Sequence, residues 1–205
     1  MQHFQASLET EARISFQASH LDANAAVLQN ASQRADSIAW ASYFAELISK
    51  LFGEGEAHPL AFKTLLATLS GLAEGALGEG VLRCLELRLL SEAGLRPQLG
   101  ACASCQTPTT AGRRLYGIPR VGGVLCEACV DGERSLPMAV GTCRLLERGL
   151  DFPLEALPRL TFSPGATLEA RAFTLAFSRY HVGEPGKAAR FLASFLFEGL
   201  ATPRR

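Results

Sequence analysis

Two cysteine pairs, Cys102-Ala-Ser-Cys105 and Cys126-Glu-Ala-Cys129, stand 20 residues apart. This is the spacing of a tetrahedral metal site. Two residues between thiols allow a tight knuckle that aims both sulfurs at one ion, and 20 residues suffice for a hairpin that returns the second pair. Four thiolates close the coordination sphere of Zn²⁺ and leave no position for water or substrate. The expected metal is therefore structural, contributing folding energy rather than catalysis. Gly122-Gly123 is expected to form the turn before the second knuckle, and Gly132 a reversal after it. Unmetallated thiols and disulfides are the alternatives. Disulfides need an oxidising compartment, whereas the chain opens without a basic segment leading into an apolar one, and it has no apolar run of membrane-spanning length. A reduced cytoplasm is the expected location, with no membrane partner. Cys84 and Cys143 lie in apolar helical patterns and are expected to be buried thiols rather than ligands.

Around this module the apolar residues follow a helical period. Ile38, Trp40, Phe44, Leu47, Ile48 and Leu51 predict one amphipathic helix ending at Gly53-Glu54-Gly55. Pro59 suits the first turn of a second, with Phe62, Leu65, Leu66, Leu69 and Leu72 inward until Gly75. A third is predicted from Gly80 to Ala93, with Leu82, Leu85, Leu89 and Leu90 inward and Gly94 as its stop. Helical patterns resume over 137–150, 166–181 and 187–200. Residues 1–30 differ: Phe4–Leu8 and Ala12–Phe16 alternate with period two, as strands do. Two lone strands are marginal in water, so this beginning reads as a fragment of a larger β unit. With 205 residues, 48% of them hydrophobic, the chain can bury one core and carry a small module. The expected fold is mainly α: a helical bundle over 31–205, with a four-cysteine zinc-ribbon-like module inserted at 100–132 and a short N-terminal β remnant over 1–30.

The net charge is zero but uneven. Residues 1–92 hold 6 Lys+Arg against 11 Asp+Glu, and residues 93–205 hold 14 against 9. An acidic half joined to a basic, cysteine-bearing half is compatible with a nucleic-acid or acidic-peptide surface on the latter, and equally with solvated charge.

The ordered series Ala41-Ser42-Tyr43-Phe44-Ala45-Glu46-Leu47, Leu60-Ala61-Phe62-Lys63-Thr64-Leu65-Leu66 and Glu86-Leu87-Arg88-Leu89-Leu90, followed by Gly94-Leu95-Arg96-Pro97-Gln98-Leu99 before Cys102, resembles the bacterial RecO family of DNA repair proteins. Gly122-Gly123-Val124-Leu125-Cys126 is similar to that family's approach to its second knuckle, and Lys187-Ala188-Ala189-Arg190-Phe191-Leu192 to its basic C-terminal segment. The resemblance runs from about residue 32 to 192. It implies that residues 1–30 are the last strands of an N-terminal OB-fold. Two departures are local. Gln106 stands where the family commonly has Gly, a change accommodated if the backbone avoids positive φ, and Ala188-Ala189 replace a Ser beside Lys187.

The resemblance implies a recombination mediator rather than an enzyme. Such a protein binds single- and double-stranded DNA, anneals complementary strands, engages the acidic C-terminal tail of single-stranded DNA-binding protein, and assists RecA loading with RecR. Nucleoid association in the cytoplasm follows. Phosphate contact requires a basic surface, for which Arg113, Arg114 and Arg120 between the knuckles and Lys187 and Arg190 near the C-terminus are the candidates. An acidic tail requires an apolar pocket with cations beside it, for which Arg83 and Arg88 are the candidates by family position. The competing assignment for Arg113, Arg114 and Arg120 is solvation of the hairpin or pairing with nearby acids; for Arg83 and Arg88 it is helix-surface pairing with Glu79, Glu86 and Glu92. The same cysteine spacing occurs in NAD-dependent protein deacylases, but no Gly-rich dinucleotide loop follows a strand here, and His3, His20, His58 and His181 form no nucleophile-base set. A third possibility is a zinc-stabilised adaptor that binds protein without autonomous DNA binding.

Overall fold

The computed structural model describes residues 35–53, 57–110, 113–131 and 135–201. The strands expected in residues 1–30 and the turn at Gly132 lie outside the described residues. Three helices come first: α1 (Ala35–Leu51), α2 (Pro59–Ala73) and α3 (Glu79–Glu92). A three-stranded antiparallel sheet follows, made of β1 (Leu115–Ile118), β2 (Gly123–Cys126) and β3 (Leu136–Met138) in the order β2-β1-β3. Three more helices end the fold: α4 (Val140–Asp151), α5 (Pro164–Val182) and α6 (Lys187–Ala201).

Local chemistry sets the helix ends. Pro59 occupies the first turn of α2, where its missing N–H leaves no bond unmade. Gly94, at φ +84°, closes α3: its own N–H and that of Leu95 turn back to the Ser91 and Leu90 carbonyls at 3.0 and 2.8 Å. Gly75 ends α2 in the same way. Ser163 caps α5 by accepting from Ala166 N at 3.2 Å. Ala139 has no side chain with which to cap α4, so a carboxylate from α5 takes that role: Glu169 Oε2 accepts from Ala139 N at 2.8 Å and from Thr142 Oγ1 at 2.5 Å.

α3 is the axis of the molecule. α1, α2, α4 and α5 all pack on it, and α6 lies along α1. Consequently α3 is buried from Gly80 to Leu87 and again at Leu89 and Leu90, instead of along the one stripe its leucines predict. An all-round buried helix needs apolar residues on every face. Cys84 and Leu87, off the predicted stripe, are both fully buried, and Cys84 meets α4 where Gly149 leaves room for its sulfur. Burial pushes both the Cys84 and Cys143 thiols up to about 12, as inert core thiols.

Two charges accompany this burial. Arg83 and Glu86 are both 0% exposed, with Arg83 Nη1 2.8 Å from Glu86 Oε2. Glu86 Oε1 accepts from Tyr43 of α1 at 2.5 Å and from Ser178 of α5 at 2.6 Å. Arg83 also reaches Glu79 Oε1 at 3.2 Å and lies 4.8 Å from the Trp40 ring centroid, while Arg171 of α5 forks onto Glu79. Two cations and two carboxylates thus neutralise one another among three helices. Burial disfavours the Arg83 charge, but Glu86, Tyr43 and Glu79 outweigh it and hold its pKa above the ordinary value. Burial and the Glu86 charge push the Tyr43 phenol well above its ordinary range.

Three expectations need correction. Ile38 is on the outer side of α1 and 39% exposed, because the helix turns Trp40, Tyr43, Phe44 and Leu47 inward. In α2, Thr64 and Thr68 are buried where Phe62 and Leu66 are only partly so; Thr68 donates to the Thr64 carbonyl at 2.7 Å and needs no further partner. The helix predicted from 137 begins at Val140, because Leu136–Met138 instead extends the hairpin as β3, with Pro137 tolerated on an edge strand.

Arg83→Met should destabilise the protein by about 3–5 kcal/mol, since it strands Glu86 in the core. The double variant Arg83→Met/Glu86→Leu should recover a substantial part of that loss. Urea unfolding of the four-member cycle measures both; additive losses would contradict the coupling.

Candidate metal centre and basic surfaces

The hairpin between the knuckles positions the thiols. β1 and β2 pair from Leu115 opposite Cys126 to Ile118 opposite Gly123, and a 3₁₀ turn over Pro119–Val121 with Gly122 at φ +76° joins them. Alternation gives the hairpin two faces. Leu115, Gly117 and Val124 face the helices, where Gly117 leaves space filled by Phe173 and Met138; Leu125 and Ile118 face a second, small core with Cys102 and Cys126. The first knuckle is strapped to the second by backbone. Gln98 N donates to Gly122 O at 2.9 Å, Val124 N to Gln98 O at 3.1 Å, and Ala103 N to Val124 O at 2.8 Å. Only glycine fits at position 123, for a Cβ there would lie 2.2 Å from the Gln98 carbonyl oxygen.

These straps bring Cys102, Cys105, Cys126 and Cys129 together, with all four sulfurs within 4.8 Å of one another. Cys105 Sγ and Cys126 Sγ are 3.7 Å apart. Four thiolates about 2.3 Å from one tetrahedral ion stand about 3.8 Å from each other, whereas a disulfide would bring two sulfurs to about 2.05 Å. The spacing is that of metal ligands, and the four residues could hold one ion. Cys84 and Cys143 lie in the helical core, outside the cluster.

The electrostatics agree with that role. Burial raises the Cys102 thiol, but hydrogen bonds from the Cys105, Cys126 and Ser104 backbone outweigh it and hold it below its ordinary value. Cys126 N donates to Cys102 Sγ at 3.4 Å. The Thr107 side chain, 3.1 Å from the Cys105 sulfur, and the Thr107 backbone pull that thiol down to about 6. Cys129, beside Cys105 and Cys126, is pushed up to about 12. Four sulfurs cannot all be anionic at this spacing without a cation. A divalent ion removes the conflict by making every ligand a thiolate.

Gln106 departs from expectation. Its φ is +59°, the left-handed region that the family's Gly tolerates freely, so the backbone does not avoid positive φ. The side chain offsets part of the strain, accepting from Gln98 Nε2 at 2.8 Å. Gln106→Gly should change stability by less than about 1 kcal/mol, relief of strain opposing a looser unfolded chain. Gln106→Val should lose more than about 1 kcal/mol, because a β-branched side chain is poorly accommodated there. Thermal unfolding of both variants checks this order.

The basic candidates separate into distinct places. Arg113 and Arg114 precede β1, exposed beside the second knuckle, with Arg114 3.5 Å from Glu127. That ion pair is the competing assignment made above for Arg114. Arg120 sits on the turn at the opposite end of the hairpin, which docks on α5 through His181 Nε2, 3.0 Å from Pro119 O. Lys187 and Arg190 open α6, and Arg190 Nη1 donates to Pro185 O at 2.7 Å. Sequence reasoning missed the docking role of His181, since no spacing signal links it to a turn 62 residues earlier.

Neither candidate for an acidic peptide presents a free cation. Arg83 is enclosed in the core with Glu86 and Glu79, so it cannot line a surface pocket. Arg88 is half-buried and spent on the end of α4, where its Nη1 donates to Gly149 O at 3.2 Å and to Phe152 O. Desolvation lowers its pKa, partly offset by Glu92 and Asp151. The reason for the miss is tertiary: helical spacing showed the partners of Arg83 but not that α1 and α5 cover them.

Chelation, or Cys126→Ser, should remove a bound divalent ion and destabilise the protein by at least about 2 kcal/mol, roughly 4–8 °C for a domain of this size. Metal content and melting temperature under reducing conditions test it. An unchanged melting point in the metal-free variant would deny the cluster a structural role.

Comparison with known proteins agrees with this architecture. The family model described as recombination protein O C terminal matches residues 32–190. The DNA repair protein RecO of Anaeromyxobacter sp. (strain K) is 39% identical over 156 residues, covering 76% of this chain and 61% of that protein. The proteins of the same name from Roseiflexus sp. (strain RS-1) and Desulforudis audaxviator (strain MP104C) are 35% and 31% identical, covering 74% and 77% of this chain and 54% and 62% of their own lengths. The chain thus spans about three fifths of the length of these relatives. No helix among the described residues is long and apolar enough to cross a membrane. With five helices, the inserted hairpin and the four-thiol cluster all inside the span that the family model matches, and the sixth helix beginning within it, the chain belongs to the RecO family.

Proposed function

We propose that this chain serves DNA repair and homologous recombination as a non-catalytic mediator, binding single- and double-stranded DNA and assisting strand annealing and RecA loading with RecR. Family membership across residues 32–190 is the observation that carries the proposal. In it the bound metal is Zn²⁺, which four thiolates in a closed tetrahedron favour. The ion holds the hairpin and with it the arginines at both ends; no bond of a substrate is made or broken. DNA contact comes from exposed cations, Arg113 and Arg114 at the knuckle end and Arg120, Lys187 and Arg190 at the α5 end. Their contribution is release of phosphate counterions, which carries no sequence preference. The acidic tail of single-stranded DNA-binding protein is the proposed peptide partner. A groove between α2 and the 3₁₀ segment Leu154–Arg159, walled by Leu66, Leu77, Leu157 and Pro158, supports this part of the proposal in place of Arg83 and Arg88 through its apolar wall; of its charged lining residues Lys63 suits an acidic tail, whereas Glu74 and Glu155 oppose one.

Fluorescence anisotropy with single-stranded and duplex oligonucleotides tests the DNA part. Affinity should fall steeply with salt, by a slope of about 0.9 per phosphate neutralised on a duplex. Arg113→Ala/Arg114→Ala should reduce that slope by up to about two contacts, and Arg120→Ala/Lys187→Ala/Arg190→Ala by up to about three, with sequence preference unchanged. Binding that ignores salt would remove these cations from the interface.

A further inference from the structure

We infer that Tyr180 is a stacking platform for one base of single-stranded nucleic acid, set in a cationic face made by the hairpin turn and the α5–α6 connection. The inference rests on the nucleic-acid binding proposed above and adds an unstacked base to the chemistry recognised.

Tyr180 is an aromatic ring left 56% exposed in the last turns of α5. It is not a loose side chain. Its ring meets His181 edge-on at 5.0 Å and 80°, and the His181 ring lies 4.3 Å from that of Phe177 at a 45° tilt, Phe177 being buried in the core. His181 is fixed at its other side by the Pro119 carbonyl. A row of three rings therefore runs from the core to the surface, and the outermost is buttressed. A ring already held in place loses little freedom when a flat ligand covers it, which favours binding.

The charges around the connection suit a polyanion. Arg120 adjoins Pro119; Arg179 precedes Tyr180 and pairs with Glu184; Lys50 of α1 donates to Glu184 O at 3.0 Å; Lys187 and Arg190 follow on α6. The carboxylates here are Glu184 and Glu46, the latter occupied by Ala188 N at 3.0 Å and Lys50 at 3.9 Å. Among the described residues, these five cations lie on four elements, the hairpin turn, α1, α5 and α6, that meet around the α5–α6 connection, and they outnumber the two carboxylates. Cations that follow a backbone, with an aromatic face among them, are the working parts of single-strand binding sites. A duplex hides its base faces, so it can use the cations but not the ring.

The 205-residue chain is titrated into fluorescein-labelled oligothymidine and, separately, into a mixed-sequence duplex, with anisotropy as the readout. Tyr180→Ala should weaken oligothymidine binding about 5- to 100-fold while changing duplex affinity less than about twofold and leaving the salt slope unchanged. Tyr180→Phe, which retains the π face, should stay within about twofold of wild type on both. Equal melting temperatures of the three proteins show an intact fold. If wild type binds both ligands and Tyr180→Ala is unchanged on the single strand, or loses both ligands equally, stacking by Tyr180 is rejected and DNA binding stands. Failure of wild type to bind either ligand rejects both the inference and the DNA-binding proposal beneath it.

Discussion

The architecture depends on enclosing α3 while leaving no buried charge unpaired. Four helices cover this element, so the Arg83 and Glu86 that it carries lose contact with water. An isolated buried charge is strongly unfavourable, and the pair persists because Tyr43, Ser178, Glu79 and Arg171 complete it, three of them from the neighbouring helices and Glu79 from the start of α3 itself. The same bonds fix the rotation of α1 and α5 about α3. Dispersion and apolar burial hold the bundle together, whereas the polar set selects one way of assembling it.

The cysteine module stands in a different relation to its core. Its private apolar cluster is small, centred on Ile118, Leu125 and two of the cysteine ligands themselves, and a core of that size supplies little folding energy. A cation held by the four thiolates would supply what burial does not. The module is also not independent of the bundle. One face of its hairpin enters the main core through Leu115, Val124 and Met138, and its turn is pinned to α5 by His181. The geometry of the four-thiol cluster and the position of Arg120 are consequently properties of one hairpin. The two ends of that hairpin then carry separate sets of cations, one beside the metal and one beside the α5–α6 connection.

Several elements were legible before any coordinates. The knuckle spacing led to the four-thiol cluster because a C-x₂-C pair fixes its geometry locally, and the glycines after α2 and α3 marked helix ends because left-handed backbone is a local requirement. The order of helix signatures around the cysteines led to the family for the same reason. β3 was missed because three residues give too short a period to register, and its strand character comes from pairing with β1. The positive φ of Gln106 was missed because the side-chain bond to Gln98 that offsets it is a contact between separate turns of the chain.

Sequence by itself determined the helix periodicity, the helix stops and which four cysteines cluster, all of which are set within a few residues along the chain. Tertiary structure alone decided which polar residues are inside. Arg83 and Arg88 look alike on one helix, yet one is sealed beneath α1 and α5 and the other caps α4. It also decided that Arg120 joins Lys187 and Arg190 at the α5 end of the molecule while Arg113 and Arg114 remain by the knuckles. Such differences depend on what covers a residue from distant parts of the chain, and helical spacing carries no information about that.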